Sequence, residues 1–198
     1  MTDTIRLAGI MRESIVDGPG IRFAIFCQGC PHGCPGCHNP ESHDFAGGNE
    51  VKLNKILEAI DSNPLLEGVT FSGGEPMCQP RAFLELAKDI KKRGLNITIF
   101  SGYTLEQLLK LSREGLDMSE SLTDDIPDDE PVGNMTAGDI RDRIAIGRLL
   151  FMCDILIDGP YVEKLRDLTL QFRGSSNQRV IDMKETFKKG EVVLWGHL

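Results

Sequence analysis

The chain has few aromatic residues and no long apolar run. Aromatic side chains make up 6% of its 198 residues, and there is a single Trp. No stretch reaches the roughly 18 consecutive apolar residues that a membrane-spanning helix requires. The opening segment, MTDTIRLAGIMRESIVDGPG, also lacks the apolar core of a secretory signal. These absences predict a cytoplasmic protein that does not enter a membrane.

Cysteine is too scarce for a disulfide framework in a chain of this length. There are six cysteines, and four of them fall within CQGCPHGCPGCHNP at positions 27–40. Cysteines that are so close along the chain are poorly placed to bridge one another. Clustering of this kind indicates metal ligands in a reducing compartment.

Positive charge is also in short supply, since 22 Lys and Arg face 30 Asp and Glu, for a net charge of −8. The segment 114–130 contains no Lys or Arg and accounts for the whole excess. Its acidic residues are Glu114, Asp117, Glu120, Asp124, Asp125, Asp128, Asp129 and Glu130. No basic face is present for nucleic-acid binding. We therefore expect one domain over 1–198, with an exposed acidic insertion at about 114–138.

Strand and helix patterns alternate along the chain. Apolar runs predict strands at 22–27, 68–72, 96–101 and 154–158, with weaker candidates at 178–183 and 191–195. Amphipathic spacing predicts helices at 51–61, 80–94, 104–112 and 141–152. Such alternation is typical of α/β proteins with a parallel sheet. Because the chain is shorter than the roughly 250 residues of a full eight-unit barrel, we expect an incomplete parallel (β/α) barrel.

Unusual residues follow each of the four main strands. The cysteine cluster follows the first strand, SGGEP (72–76) the second, SGY (101–103) the third and DGPY (158–161) the fourth. Loops after parallel strands meet at the carboxyl edge of the sheet. The sequence therefore predicts one site, built from four loops, that includes the metal.

The cysteine spacing allows two interpretations. Cys27 with Cys30 and Cys34 with Cys37 resemble the two halves of a closed structural zinc site. Cys30-x3-Cys34-x2-Cys37 is instead a three-thiolate site with one free coordination position. A zinc module would not need the other three loops.

The loop SGGEP suits a small polar ligand. Gly73 and Gly74 allow close approach of the backbone, and Glu75 adds a carboxylate for an ammonium or hydroxyl group. A tight strand-to-helix turn explains SGGEP equally well, and a helix cap is the better explanation for Ser101 taken alone.

Together these residues resemble the radical S-adenosylmethionine superfamily, through Cys30-x3-Cys34-x2-Cys37 followed by SGGEP. DGPGIRFAIFCQGCPHGCPGCHNP (17–40) is similar to the activases of glycyl radical enzymes. DILIDGPY (154–161) and QFRGSSNQRVID (171–182) resemble the subfamily that acts on anaerobic ribonucleotide reductases. The resemblance extends over about 15–182, apart from the acidic insertion.

The resemblance implies a 4Fe-4S cluster on Cys30, Cys34 and Cys37, with S-adenosyl-L-methionine on the open iron. It implies that Gly36 and His38 line the cofactor pocket and that Ser101 lies near the ribose or carboxylate. Gly73, Gly74 and Glu75 match the superfamily motif for the cofactor's amino group. Many members have an aromatic residue immediately before the third cysteine, whereas this chain has Gly36.

The implied activity is an oxidoreductase reaction in which the cofactor yields a 5′-deoxyadenosyl radical, and a glycyl radical is installed on an anaerobic ribonucleoside-triphosphate reductase. A low-potential donor such as flavodoxin or ferredoxin would supply the electron. Another glycyl radical enzyme, of the formate-lyase type, is an alternative target. A non-catalytic iron–sulfur electron carrier is an alternative of a different class.

Other conspicuous residues receive plainer interpretations. Cys27, Cys78 and Cys153 are expected to be packed thiols, and His32 and His43 to be exposed loop residues. Asp17 and Asp158 are expected to be mainly structural, and Arg173 and Arg179 have no role that the sequence identifies.

Overall fold

The computed structural model describes residues 2–123 and 125–196, so Asp124 of the acidic run lies outside the described residues. The strands in this part of the chain are β1 (Thr4–Ser14), β2 (Arg22–Cys27), β3 (Asn49–Lys52), β4 (Gly68–Gly73), β5 (Asn96–Phe100), β6 (Pro131–Val132), β7 (Met135–Thr136), β8 (Ile155–Asp158) and β9 (Arg179–Asp182). The α-helices are α1 (Leu53–Asp61), α2 (Pro80–Lys92), α3 (Leu105–Met118), α4 (Ala137–Met152) and α5 (Met183–Lys189).

Seven strands form one sheet in the order β3-β1-β2-β4-β5-β8-β9. The four central strands, β2, β4, β5 and β8, are parallel, as the sequence predicts. Strands β1, β3 and β9 join them in antiparallel pairs. Because β3 and β9 end the sheet without pairing with each other, the barrel is incomplete, which confirms the predicted fold class.

The main core lies between this sheet and the helices that cover it. Helix α2 buries Phe83, Leu86 and Ile90 completely, and its Phe83 ring packs 4.5 Å from Phe71 of β4. Residues 80, 83, 86, 87 and 90 recur at helical spacing, which is why this helix is the clearest one in the sequence. Burial of each large apolar side chain contributes about 1.5 to 3 kcal/mol.

Arg22 is a fully buried cation at the start of β2. Its guanidinium donates to Thr70 Oγ1 at 2.6 Å, to Asn96 Oδ1 at 2.6 Å and to the carbonyl oxygen of Val69 at 2.7 Å. Burial lowers the pKa of Arg22 to about 10, so the side chain stays charged at neutral pH. These bonds attach the start of β2 to β4 and β5.

The acidic segment differs from the expected solvated loop. Its first residues continue α3 as far as Met118, and Ser119–Ser121 form a 3-10 turn. Further along, the β6–β7 hairpin and α4 bury Val132, Ala137 and Ile140 in a second apolar cluster. The expectation of a loop is therefore wrong for 114–121, where the helix extends six residues beyond the predicted end at 112.

The acidic charges are also partly compensated by arginines outside the segment. Asp128 pairs with Arg81 of α2 and Arg141 of α4, and Glu114 pairs with Arg143 of α4. A count of charges within the segment could not reveal these partners.

Two further sequence expectations require correction. Residues 191–195 do not form a strand, since Leu194 makes only an isolated bridge to Ile181. The strands β1 and β3 and the helix α5 were not predicted. Among the described residues, no helix is both long and apolar enough to cross a membrane.

Candidate functional site

The loops after β2, β4, β5 and β8 open into one cavity of about 860 Å³. This confirms that the four sequence segments meet at the carboxyl edge of the sheet. Seven of the nine candidate site residues line the cavity, namely Cys30, Cys34, Cys37, His38, Gly73, Gly74 and Ser101. Gly36 and Glu75 do not line the cavity, since Gly36 is exposed elsewhere on the loop and Glu75 is fully buried.

The cluster loop, residues 29–43, is closed at its base by peptide hydrogen bonds. Gly29 N donates to Ser42 O at 2.8 Å, and Cys30 N donates to His43 O at 3.1 Å. Nε2 of the buried Gln28 donates to the carbonyls of Glu41 and Asp44 at 3.0 and 2.6 Å. The loop is therefore held in shape by its own backbone and one amide side chain.

Cys30, Cys34 and Cys37 are free, partly exposed thiols on one wall of the cavity. Burial raises the pKa of Cys30 and of Cys34, and backbone hydrogen bonds from His32 and Tyr161, respectively, oppose this rise. Within the described residues, no three His, Cys, Asp or Glu side chains group around a point where one metal ion could be held. In a 4Fe-4S cluster each thiolate binds a different iron, so its ligands need only surround the cluster.

Gly73 and Gly74 bring the loop after β4 against the cluster loop. Gly74 N donates to Cys27 O and Glu75 N donates to Gly29 O, each at 2.8 Å. A Cβ at Gly73 would lie 2.5 Å from the Phe26 backbone, and one at Gly74 would lie 2.4 Å from the Gly29 carbonyl oxygen. Gly73 also has φ of +91°, where side chains are disfavoured. Loop packing alone thus requires both glycines.

Glu75 is fully buried, and both its carboxylate oxygens accept hydrogen bonds from the protein. Oε1 accepts from Met77 N at 3.0 Å and from Ser101 Oγ at 3.0 Å. Oε2 accepts from Gly102 N at 2.8 Å and lies 2.8 Å from His32 Nε2. The carboxylate, which the sequence suggested for an incoming ammonium or hydroxyl, is occupied by donors from three loops.

His32 was expected to be exposed, and this interpretation is wrong. Its side chain is only 16% accessible and is the donor to Glu75, because a carboxylate can only accept. Its ring also contacts Tyr103 edge-on at 4.5 Å. Nothing in the local sequence indicates a partner that lies 43 positions away.

Ser101 is not the cap of α3. Thr104 caps that helix and forms a capping box with Gln107. Ser101 instead lies buried in the cavity wall, where its hydroxyl donates to Glu75.

Asp158 and Arg179 form a structural network at the end of β8. Arg179 bridges the buried carboxylate of Asp158 and the exposed Glu106, and Asp158 accepts from Leu105 N at 2.7 Å. The pKa of Arg179 is raised by these hydrogen bonds. The network attaches the first turn of α3 to the neighbouring strand, as the structural interpretation of Asp158 predicts.

The remaining thiols differ in burial. Cys27 and Cys153 are core residues, as expected, and Cys78 is only partly buried, with its pKa raised to about 12 by burial. Asp17 and His43 both line the cavity, and Asp17 accepts from Ser14 Oγ at 2.5 Å. Arg173 also lines it and donates to Gln178 O at 2.9 Å.

Comparison with known proteins gives consistent matches. Residues 16–129 and 133–181 match the 4Fe-4S single cluster domain. The pyruvate formate-lyase-activating enzyme of Clostridium pasteurianum is 38% identical over 114 residues, which are 53% of this chain and 48% of that protein. The anaerobic ribonucleoside-triphosphate reductase-activating protein of Salmonella typhimurium is 28% identical over 174 residues, which are 84% of this chain and 91% of that protein.

The Escherichia coli K12 protein of the same name is 27% identical over the same shares of both chains. This chain thus spans about half the length of the formate-lyase relative and about nine-tenths of the reductase relatives. Among solved structures, QueE from Escherichia coli shares 19% identity at a TM-score of 0.41, over 51% of this chain and 53% of that one.

The family match covers most of the chain, including all three cavity thiols. The chain therefore belongs to the 4Fe-4S single cluster domain family, and its predicted resemblance to the activating enzymes of glycyl radical enzymes is confirmed.

Proposed function

We propose that this protein is the activating enzyme of an anaerobic ribonucleoside-triphosphate reductase, on which it installs a glycyl radical with a 4Fe-4S cluster and S-adenosylmethionine. The main support is the convergence of three free thiols, the Gly73–Gly74 backbone and Ser101 on one cavity. A closed metal site or a simple electron carrier has no use for such a cavity beside its thiols.

In this proposal Cys30, Cys34 and Cys37 hold the cluster and Cys27 does not. Cys27 is fully buried in β2 and does not line the cavity, whereas the other three thiols do. Three thiolates leave one iron free for a substrate, which a fourth would occupy. When bound, the cluster and S-adenosylmethionine supply the radical chemistry.

The protein's own part is to bind, orient and shield. The Gly73–Gly74 backbone and the Ser101 hydroxyl offer polar groups for the amino acid part or the ribose of the cofactor. Glu75 does not contact the cofactor in this proposal but holds these loops together through its hydrogen bonds. The exposed side chains of Ile15, Val16 and Leu168 surround the open side of the cavity, where a segment of a partner protein can approach.

The choice of target is supported by the extent of similarity. The match to the reductase-activating proteins runs through 84% of this chain, whereas the match to the formate-lyase-activating enzyme is higher in identity but covers 53%. The latter comparison keeps a formate-lyase type of target as the second candidate.

Activity assays on anaerobically reconstituted protein test both levels of the proposal. With dithionite and S-adenosylmethionine, the protein should release methionine and 5′-deoxyadenosine in equal amounts. With the host's anaerobic reductase, electron paramagnetic resonance should detect a glycyl radical, and with pyruvate formate-lyase it should not. Absence of 5′-deoxyadenosine from cluster-loaded protein would exclude the enzyme, and a radical only on the formate-lyase would reassign its target.

Cysteine variants test the ligand assignment through iron content. Cys30→Ser, Cys34→Ser and Cys37→Ser should each lose the cluster absorbance and all cleavage, because each removes one of three ligands. Cys27→Ser is the matched control and should retain iron and cleavage. Loss of iron in Cys27→Ser, with the fold intact by circular dichroism, would instead favour the paired arrangement.

A further inference from the structure

Gly36 has no side chain to present to the cavity, and its backbone conformation disfavours a larger residue. Its φ is +70°, a conformation that side chains rarely adopt. A Cβ built on Gly36 would lie 2.9 Å from the carboxyl group of Glu163. Gly36 is exposed, and the side chain of Glu163, in the segment 160–163 that follows β8, lies beside it.

The same segment brings a ring to the thiols. Tyr161 lines the cavity, and its backbone hydrogen-bonds the thiol of Cys34. Its ring lies 5.0 Å from that of His38, the residue directly after Cys37, with the two planes tilted by 47°. Both rings are accessible, so together they form an aromatic corner beside two of the three thiols.

Gly174 supports this corner from the side. A Cβ at Gly174 would lie 3.0 Å from His38 Cε1 and 3.0 Å from Tyr161 Cδ2, so its backbone packs on both rings. Gly174 is itself fixed, since its N–H donates to Gln178 Oε1 at 3.0 Å and its carbonyl accepts from Asp167 N at 3.3 Å. The loop 171–178 thus has a structural reason for a glycine at this position.

Two of the other five rings in the cavity lining have partners elsewhere. His32 is bound to Glu75, and Phe172 packs 6.0 Å from Trp195. The Tyr161 ring instead has its neighbouring ring, that of His38, within the cavity lining.

We infer that the ring of Tyr161, held by His38 and Gly174, is the face on which the adenine of the cofactor stacks. This inference rests on the proposed function, which puts an adenosyl group next to the thiols. A nucleobase on an aromatic side chain gains enough affinity that loss of the ring weakens binding by about 5- to 100-fold. Tyr161 would then select for the nucleoside part of the cofactor and leave the amino acid part to other groups.

Binding measurements on the full-length, cluster-loaded protein test the inference without an activity assay. Equilibrium dialysis would give dissociation constants for S-adenosylmethionine, 5′-deoxyadenosine and methionine in wild type, Tyr161→Phe and Tyr161→Ala. Tyr161→Ala should bind the two adenosyl compounds about 5- to 100-fold more weakly and methionine unchanged. Tyr161→Phe, which keeps the ring, should stay within about 3-fold of wild type for all three.

Two additional variants make the result specific. Phe151→Ala removes a ring that is 75% exposed outside the cavity, and its binding should equal that of wild type. If Tyr161→Ala loses iron, Tyr161→Leu replaces it in the test, because it keeps apolar bulk without a ring. Tyr161→Leu should bind the two adenosyl compounds more weakly than wild type and methionine equally well.

Each outcome is decisive. Wild-type affinity of Tyr161→Ala for S-adenosylmethionine would overturn the inference and leave the proposed function standing. An equal loss of affinity for methionine would also overturn the inference, because the substitution would then have disturbed the whole site and not only the contact with adenine. Iron-loaded wild type that binds no S-adenosylmethionine would refute the proposed function, and the inference with it.

Discussion

Glu75 is the residue at which the loops of the site meet. Its donors come from its own turn (Met77), from the loop after β5 (Ser101 and Gly102) and from the cluster loop (His32). A buried carboxylate is stable only when it is hydrogen-bonded or paired. Here that requirement fixes the relative position of three loops.

Replacing Glu75 with Gln should lower the free energy of unfolding by about 2 to 4 kcal/mol, because an amide group would face N–H donors that now meet a carboxylate oxygen. Urea denaturation of the metal-free protein would measure this. Glu67→Gln is the matched control, since exposed Glu67 accepts from the backbone of Ile21 at 3.1 Å, and it should cost less than about 1 kcal/mol. Equal stabilities of the two variants would contradict this role of Glu75.

At the level of single residues, the sequence was a good guide to the location of the candidate site. It was a poorer guide to the contacts that each residue makes. Local spacing was sufficient to predict that Cys30, Cys34 and Cys37 lie together, since all three line the same cavity. It was insufficient for Glu75 and His32, whose contacts depend on a tertiary arrangement. Asp158 and Arg179 could be recognised as unusual but not as partners, since they are 21 positions apart.

Among the elements, continuous apolar runs identified the central strands. In β2, β4 and β8 nearly every side chain is buried, so the pattern is strong. Strand β1 buries only Ile5, Leu7 and Ser14 along 11 residues, and β3 has no buried residue, so their local signals were weak. Their place in the sheet depends on long-range pairing, which no short window of sequence contains.

The start of α3 should show a pH-dependent stability. Hydrogen bonds from Arg179 lower the pKa of Glu106 from 4.5 to about 2. Stabilisation by a carboxylate of depressed pKa is complete above pH 4.5 and is lost as the pH falls through about 2. Because Glu106 is largely exposed, we expect its ionised carboxylate to add only about 0.3 to 1 kcal/mol to the free energy of unfolding at pH 7.

Urea titrations of wild type and Glu106→Gln would measure this effect, and the difference between them should shrink below pH 4.5. Glu58→Gln, which breaks an exposed pair with Lys55, is the control for a local helix contact and should cost about 0.5 kcal/mol or less. A difference for Glu106→Gln that persists unchanged at about pH 2 would show that the ionised carboxylate is not responsible.

Asp128 links two helices from within the acidic segment. It pairs with Arg81 of α2 and with Arg141 of α4, and Arg81 also bonds Asp142 at 2.6 Å. Asp128→Asn should reduce the free energy of unfolding by about 0.5 to 1 kcal/mol, and less at high salt. Thermal unfolding at two salt concentrations would test this, with exposed Asp129→Asn as the control that should have no effect. An equal effect of both variants would mean that only the net charge matters.

On the scale of the whole molecule, the order of the strands determines where chemistry can take place. The four parallel strands occupy the middle of the sheet, so their carboxyl ends adjoin and their loops share one cavity. This arrangement followed from the alternation of strands and helices in the sequence. The antiparallel strands at the two sides of the sheet could not be predicted from this alternation. They also leave the two edges of the sheet unpaired with each other.

The closed base of the cluster loop has a consequence for damage by oxygen. The hydrogen bonds from Gly29 N to Ser42 O and from Cys30 N to His43 O, and those from the Gln28 amide, involve no thiol, so oxidative loss of iron from the cysteines would break none of them. We therefore expect the loop to keep its shape when the iron is lost, so that iron and sulfide can rebuild the cluster in air-exposed protein without refolding of the chain.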